Sequence, residues 1–325
     1  MAEVDIIVPI YNVQDYLERN LKSLQEQTFR DIRILCVNDG SADSSAEVID
    51  RFCQEDERFL RLDKENGGLS DARNFGLKHV SAPYVMMIDG DDFCEKEMVE
   101  LSLRAIREND SDIVVFPYKQ YYLENDTSEV IPLRFKGTYS LKEKPELLAY
   151  TPNAAWNKLY RTSLFTENHI EYPFGYRHQD LGTTPKLLAL AKKVTYIDTP
   201  LYNYLIDRPN NITRQVDNKI RHILAMCPEI VGWYKEKGLF EQYKEELNYL
   251  CTVNFTQSLR KAMKLTDAQF VKDFITDVFD FRKDTFGGLP QKYKTNEAKG
   301  DRVYLNKALC KAYYTFQRHK GELKV

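Results

Sequence analysis

Tyr84-Val85-Met86-Met87-Ile88-Asp89-Gly90-Asp91-Asp92 runs from five apolar residues into three carboxylates. The apolar run is short enough for a buried strand, and the strand ends where several anions would repel one another. A hard divalent cation takes carboxylate oxygens and keeps open positions for a substrate's phosphates, so Mg²⁺ or Mn²⁺ at this cluster is one reading of the tetrad. Asp-Gly is equally a common turn dipeptide, and a plain loop is the other reading.

The chain before the tetrad alternates. Residues 5–10 (Asp5-Ile6-Ile7-Val8-Pro9-Ile10) form an apolar run, Tyr16, Leu17, Leu21 and Leu24 recur at helical spacing, and 32–37 (Ile32-Arg33-Ile34-Leu35-Cys36-Val37) form a second run. Val48, Ile49 and Phe52 mark a helix after Ser41, Asp43 and Ser44; a strand is expected near 59–62 and a helix from Ser70. Strand and helix in alternation imply a largely parallel sheet with helices on its faces. Ligands of such sheets sit beyond the carboxyl ends of the strands, where the turns at Tyr11-Asn12, Asn38-Asp39-Gly40-Ser41 and Asp89-Gly90-Asp91-Asp92 would gather. Residues 118–175 read as a covering segment, and the run 194–197 (Val194-Thr195-Tyr196-Ile197) closes the first domain. From 216 onward only helical stripes are evident, Leu247/Leu250/Cys251/Phe255/Leu259 and Leu305/Leu309/Ala312/Phe316. The expected division is a catalytic domain over 1–214 and an all-helical appendage over 215–325.

At 325 residues and 43% hydrophobic content the chain suits about two domains with a real core. No stretch reaches the length of a membrane span, and no leader precedes the first strand, so a cytoplasmic protein is expected. The six cysteines are scattered among apolar neighbours and read as reduced thiols, which argues against zinc. The net charge of -3 divides into -9 over residues 1–215 and +6 over 216–325. The acidic part carries the ordered pattern and no recognised nucleic-acid motif, so nucleic acid is not an expected partner. The basic helical part leaves two readings: a helix packed on its own domain, or peripheral contact with the inner face of an anionic membrane.

Four motifs follow one another over about ninety residues: Val8-Pro9-Ile10-Tyr11-Asn12, Val37-Asn38-Asp39-Gly40-Ser41, Asn66-Gly67-Gly68-Leu69-Ser70-Asp71-Ala72-Arg73-Asn74, and Ile88-Asp89-Gly90-Asp91-Asp92. As a set they resemble the family 2 glycosyltransferases of bacteria. The resemblance implies the GT-A fold, a Rossmann-like, mostly parallel sheet flanked by helices. It also implies a UDP-sugar or related donor, Mn²⁺ or Mg²⁺, and inversion at the anomeric carbon during transfer to a hydroxyl of a glycan, lipid-linked or glycoprotein acceptor.

Each motif has a physical reading that suits this role. Asp39 is suited to accept from a pyrimidine imide N–H, with Pro9, Tyr11 and Asn12 walling the base. Asn66 and Gly67 let the backbone pass close to a ligand, and Arg73 at the start of a helix favours anions. Asp89 stands where the family contacts the nucleoside and Asp91 where it holds the metal, with Asp89 a weaker metal candidate. An inverting transfer needs a base, and Asp180 in His178-Gln179-Asp180 matches the second acid of the family's acidic pair, with Gln179 where a Glu is common. His178 is a weaker metal candidate. Trp156 resembles a residue bordering the sugar pocket, and Arg208 a loop residue that folds over the diphosphate. Simpler roles stand beside these: a helix cap at Asp180, a core position for Trp156, a salt bridge at Arg73, a linker at Arg208. A sugar-1-phosphate nucleotidyltransferase would need a Gly-, Arg- and Lys-bearing loop after the first strand, where this chain has Pro9-Ile10-Tyr11-Asn12-Val13. A non-catalytic binding module on the same fold is the remaining alternative.

Overall fold

The computed structural model describes residues 2–208, 216–290 and 304–322, and the chain divides into two compact units. The first comprises Met1–Lys144 and Thr151–Asn211, the second Pro145–Tyr150 and Ile212–Val325. The expected boundary between 214 and 215 falls outside the described residues.

The first unit begins with strict alternation: β1 Val4–Ile10, α1 Gln14–Gln25, β2 Ile32–Asn38, α2 Ser45–Glu55, β3 Phe59–Asp63, α3 Leu69–Lys78 and β4 Tyr84–Met87. It continues through β5 Phe93–Cys94, α4 Met98–Glu108, β6 Ile113–Val115, β7 Tyr118–Tyr122, β8 Thr127–Ile131 and β9 Gly137–Tyr139. After α5 (Glu146–Tyr150), which belongs with the second unit, come β10 Lys158–Arg161, α6 Ser163–Thr166, α7 Gln179–Leu190, β11 Val194–Tyr196 and β12 Tyr202–Leu205. The main sheet has the order β3-β2-β1-β4-β10-β6-β11-β9. Its strands are parallel except β10 and β9, which run against their neighbours. β1 is buried at every residue, the pattern of a parallel strand covered on both faces. This is the largely parallel, helix-flanked sheet that the alternation implies.

The segment 118–175 is more than a cover. β10 enters the centre of the main sheet, and β7 and β8 join β5 and β12 in a second sheet, β5-β12-β7-β8. The strand signal was weak because β7 and β8 leave most residues partly or fully exposed, so no continuous apolar run forms.

Register places the site. Ile10 at the end of β1 pairs with Asn38 at the end of β2, and Asn38 pairs with Asp63 at the end of β3. Three parallel strands therefore end level, and their turns share one edge. Gly76 on α3 lets that helix approach β1, since a Cβ there would lie 2.5 Å from Ile7 Cγ2. At the opposite end of β1, buried Asp5 receives Arg33 in a two-pronged ion pair at 2.8 and 2.7 Å and the backbone N–H groups of Ser81 and Ala82.

The second unit contains α8 Ile223–Glu236, α9 Phe240–Ala262, α10 Ala268–Phe286 and α11 Lys307–Glu322, and no strand among its described residues. The stripe Leu247/Leu250/Cys251/Phe255/Leu259 is buried as its spacing predicts. The stripe on α11 is not. Leu309 and Phe316 are exposed, whereas Cys310 and Tyr314 are buried, Tyr314 donating through its hydroxyl to Leu265 O at 3.2 Å. The packed face is thus turned by one residue, because a Tyr ring with a reachable hydrogen-bond partner outcompetes a slightly more apolar face. No described helix is long and apolar enough to cross a membrane, and all six cysteines are free thiols.

Removing the Asp5 carboxylate would strand two inward amide donors together with Arg33. An Asp5→Ala variant is expected to lose on the order of 3 kcal/mol of stability, seen as a lower denaturation midpoint with unchanged m-value.

Candidate active site

The three carboxylates of the tetrad part company, each to its own partner. Asp89 Oδ1 accepts from Arg73 Nη2 at 2.7 Å. Asp91 forms an ion pair with Arg208 Nε. Asp92 turns inward, where Tyr202 donates to it at 2.7 Å and the Leu205 N–H at 2.8 Å. Burial raises the proton affinity of both Asp91 and Asp92, and the neighbouring carboxylates add to it at Asp92, while Arg208 opposes it at Asp91. The backbone of the turn is held from α1: buried Asn20 donates from Nδ2 to the carbonyls of Asp89 and Asp92 at 3.0 and 2.8 Å. Gly90 is required by closeness, since a Cβ there would come within 3.0 Å of Pro9 O.

Arg73 is the centre of the arrangement and corrects an expectation. It is fully buried, so it does not meet a solvent-borne phosphate; its anions are Asp89 and, at 2.6 Å from Nη1, Asp180 Oδ1. Burial opposes its charge, but Asp180 and Asp89 more than offset this and keep it protonated. The guanidinium also lies over the Tyr172 ring, 5.2 Å from its centroid. Asp180 is in the first turn of α7, not at its cap; the cap is His178, in the left-handed region at φ 63°. Asp180 keeps 24% of its side-chain surface exposed. Burial raises its pKa above the usual carboxylate value, with Arg73 opposing.

Asp39 also departs from the direct role expected of it. Its Oδ1 accepts from Lys64 Nζ at 2.6 Å and Gly67 N at 2.9 Å, its Oδ2 from Gly68 N at 2.8 Å and Asn66 Nδ2 at 3.2 Å. All four acceptor positions are therefore filled by the chain, and the carboxylate shapes the glycine loop. Gly68 at φ 87° opens α3 in a conformation that L side chains rarely adopt, and a Cβ at Gly67 would collide with Asp71. Pro9 is buried under the turn, while Tyr11 is half exposed and Asn12, at φ 50°, accepts from Ala42 N at 2.9 Å.

Trp156 is core. It is 8% exposed and stacks on Tyr202 and Tyr204 with ring centroids at 4.5 and 5.4 Å. The ordinary core position wins because β12 presents two tyrosines at the spacing of one sheet face. Among the described residues no group of three or more His, Cys, Asp or Glu side chains is placed to hold a metal, and Asp89, Asp91 and His178 do not form one ligand set. The donor set offered at Asp91 is a single buried carboxylate, which fits a hard cation completed by a substrate's phosphate oxygens and does not fit a protein-only cage.

Several residues of the site were given no role by sequence reasoning. Asn20 lies on the apolar stripe of Leu17, Leu21 and Leu24, and a polar residue on that face was the available signal. Tyr202 offered none, and Asn74 closed the third motif without a role assigned to it. Lys158 is fully buried and donates to Pro152 O, Ala154 O and Asn157 Oδ1 at 2.6, 2.6 and 2.7 Å, and burial pulls its pKa down to about 7.

Removing Arg73 would leave Asp89 and Asp180 facing each other without their cation. Arg73→Met is expected to cost about 3–5 kcal/mol. The orphaned carboxylates would bind protons more tightly folded than unfolded, so stability falls as pH rises and the deficit should be larger at pH 8 than at pH 5 by chemical denaturation.

Comparison with known proteins is consistent with this geometry. A family model described as "Glycosyl transferase family 2" matches residues 5–168. The chain is 34% identical over 257 residues to glycosyltransferase GlyA of Streptococcus pneumoniae, covering 73% of this chain and 36% of that protein, so it spans about a third of GlyA's length. It is 29% identical over 329 residues to the uncharacterized glycosyltransferase EpsJ of Bacillus subtilis, covering 96% of this chain and 93% of EpsJ. Among solved structures, S. aureus TarS 1–349 in complex with UDP-GlcNAc superposes with a TM-score of 0.69 at 18% identity, covering 97% of this chain and 92% of that one, a likeness of fold.

Proposed function

The chain belongs to glycosyl transferase family 2, and on that premise we propose that it moves a sugar from a UDP-sugar, with inversion, onto a hydroxyl of a glycan acceptor. The observation that carries this reading is the buried Arg73 bridge. It joins the tetrad at the end of β4 to Asp180 at the start of α7, residues far apart in sequence, so the candidate base and the diphosphate edge belong to one site. UDP is preferred as the nucleotide because TarS binds UDP and UDP-GlcNAc on the same fold.

In this reading Asp180 takes the proton of the attacking hydroxyl. Arg73 holds one of its oxygens and fixes the direction of the carboxylate, and the raised proton affinity of Asp180 makes it a better base than an exposed aspartate. Tyr11 offers a half-exposed ring at the end of β1 for the uracil, and Asn12 and the Asn66-Gly67 loop line the same edge. Asp91 would hold Mn²⁺ or Mg²⁺ together with diphosphate oxygens; the ion, when bound, neutralises charge on the departing diphosphate. Arg208 already sits on Asp91 as a cation, and on donor binding it would turn to the diphosphate. The absence of any membrane-crossing helix among the described residues suits a cytoplasmic enzyme, and the basic second part of the chain suits transient contact with an anionic inner surface.

Three measurements test the proposal. UDP affinity by calorimetry should rise with Mn²⁺ and lose that increment in Asp91→Ala; equal affinity with and without metal in the wild type would overturn the metal assignment. Asp180→Asn should keep UDP affinity but lower transfer by roughly 10²- to 10⁴-fold, with a lower melting temperature because Arg73 loses a charged partner; a near-normal rate would remove Asp180 from the base role. Since the base must be ionised, kcat/KM should rise with pH through a limb above the usual carboxylate range, and that limb should vanish in Asp180→Asn.

A further inference from the structure

The segment that carries Arg208 is tied down at two places. β12 runs parallel to β7 as far as Leu205, and the Ile206 N–H then donates to Tyr121 O at 3.0 Å. Leu205 N donates to Asp92 Oδ1 at 2.8 Å, which pins the end of β12 to the tetrad. Asp207 turns the other way, to the tip of the β7–β8 hairpin. Its Oδ1 accepts from Leu123 N at 2.9 Å and its Oδ2 from Glu124 N at 3.0 Å, residues 84 and 83 positions away in the chain. Arg208 follows directly and forms its ion pair with Asp91. The hairpin is held at its base, where Glu95 Oε1 accepts from Lys119 Nζ of β7 at 2.6 Å and from Asn203 Nδ2 of β12 at 3.1 Å.

The N–H groups of an exposed hairpin tip are served well by water, so satisfying them does not by itself call for a carboxylate. What the two-oxygen contact adds is placement. It removes conformational freedom from the residue before Arg208, and a guanidinium oriented in advance loses less entropy when it meets an anion. It also faces a negative charge away from the diphosphate edge, where a free carboxylate beside Arg208 would repel the ligand. Resting on the reading that Arg208 meets the donor diphosphate, we infer that Asp207 is a positioning residue, which aims Arg208 at that edge from the tip of the β7–β8 hairpin. The hairpin thereby takes part in donor binding through Asp207, without a contact of its own to the nucleotide.

The test uses the full chain with saturating Mn²⁺, so that every variant is compared in the same metal state. UDP affinity is read by calorimetry and uridine affinity by saturation-transfer NMR. Arg208→Gln should lower UDP affinity roughly 10- to 100-fold, the range for losing a charge-assisted contact. Asp207→Ala should lower it by about fivefold or more, and Asp207→Asn, which keeps one acceptor oxygen, by less. Uridine, which lacks the diphosphate, should bind all variants equally. The double variant Asp207→Ala/Arg208→Gln should bind UDP within about twofold of Arg208→Gln alone, because Asp207 acts only through Arg208. Wild-type UDP affinity in Asp207→Ala would overturn the inference. So would a parallel loss of uridine binding, or losses that add in the double variant, since both mark a general structural lesion. Failure of the underlying reading looks different: Arg208→Gln itself would bind UDP as tightly as the wild type, and the role of Asp207 would fall with it.

Discussion

One buried guanidinium sets the geometry of the site. Arg73 has no contact with water, and a charge so placed persists only if it is paired on more than one side. Its two carboxylates come from the turn after β4 and from the first turn of α7, so satisfying the charge brings those elements together. Loss of either partner would leave a buried charge half paired. The same constraint that holds the first unit together at this point therefore aims the candidate base, and stability and chemistry are coupled through one side chain.

A second constraint is the crowding of anions at the strand ends. Asp89, Asp91 and Asp92 are kept apart by separate partners: one guanidinium for Asp89, another for Asp91, and neutral donors for Asp92. The division of labour follows. Asp92 is turned inward and ties the tetrad to β12 through Tyr202 and Leu205, a structural task. Among the described residues Asp91 is paired with Arg208, a side chain from a loop, and an ion pair of that kind can exchange one cation for another without unfolding the turn. The nearby glycine loop is likewise shaped from within, by Asp39 and Lys64, before any nucleotide arrives. Preorganisation of this sort lowers the cost of ordering the loop on binding.

α3 contributes at two levels. Arg73 and Asn74 are adjacent, yet one addresses Asp180 and the other the backbone at Tyr172, so two neighbouring positions of one helix govern both the candidate site and the loop beside it. Gly76 lets that helix lie close against β1, which transmits the register of the sheet to the site.

Much of this was legible in the residues themselves. Alternating apolar runs and helical stripes named the strands and helices up to Tyr84, because a parallel sheet buries both faces and leaves continuous hydrophobic runs. The four motifs named the family and set the tetrad at the end of a strand, while Asp180 was pointed to only by the resemblance. Tertiary structure alone decided which polar groups meet. Arg73 and Asp39 read as ligand contacts because local sequence records residue type and not burial; both are spent on partners brought in by the fold. Trp156 left both a sugar-facing and a core reading open because the tyrosines of β12 that stack on it lie some forty-five residues further along. The strands β7 and β8 were missed because exposed strands carry no apolar run, and the face of α11 was misjudged by one residue because the winning contact was a hydroxyl reaching a distant carbonyl. Local periodicity is written by the chain itself, whereas the pairing of buried charges depends on distances that only the folded sheet creates.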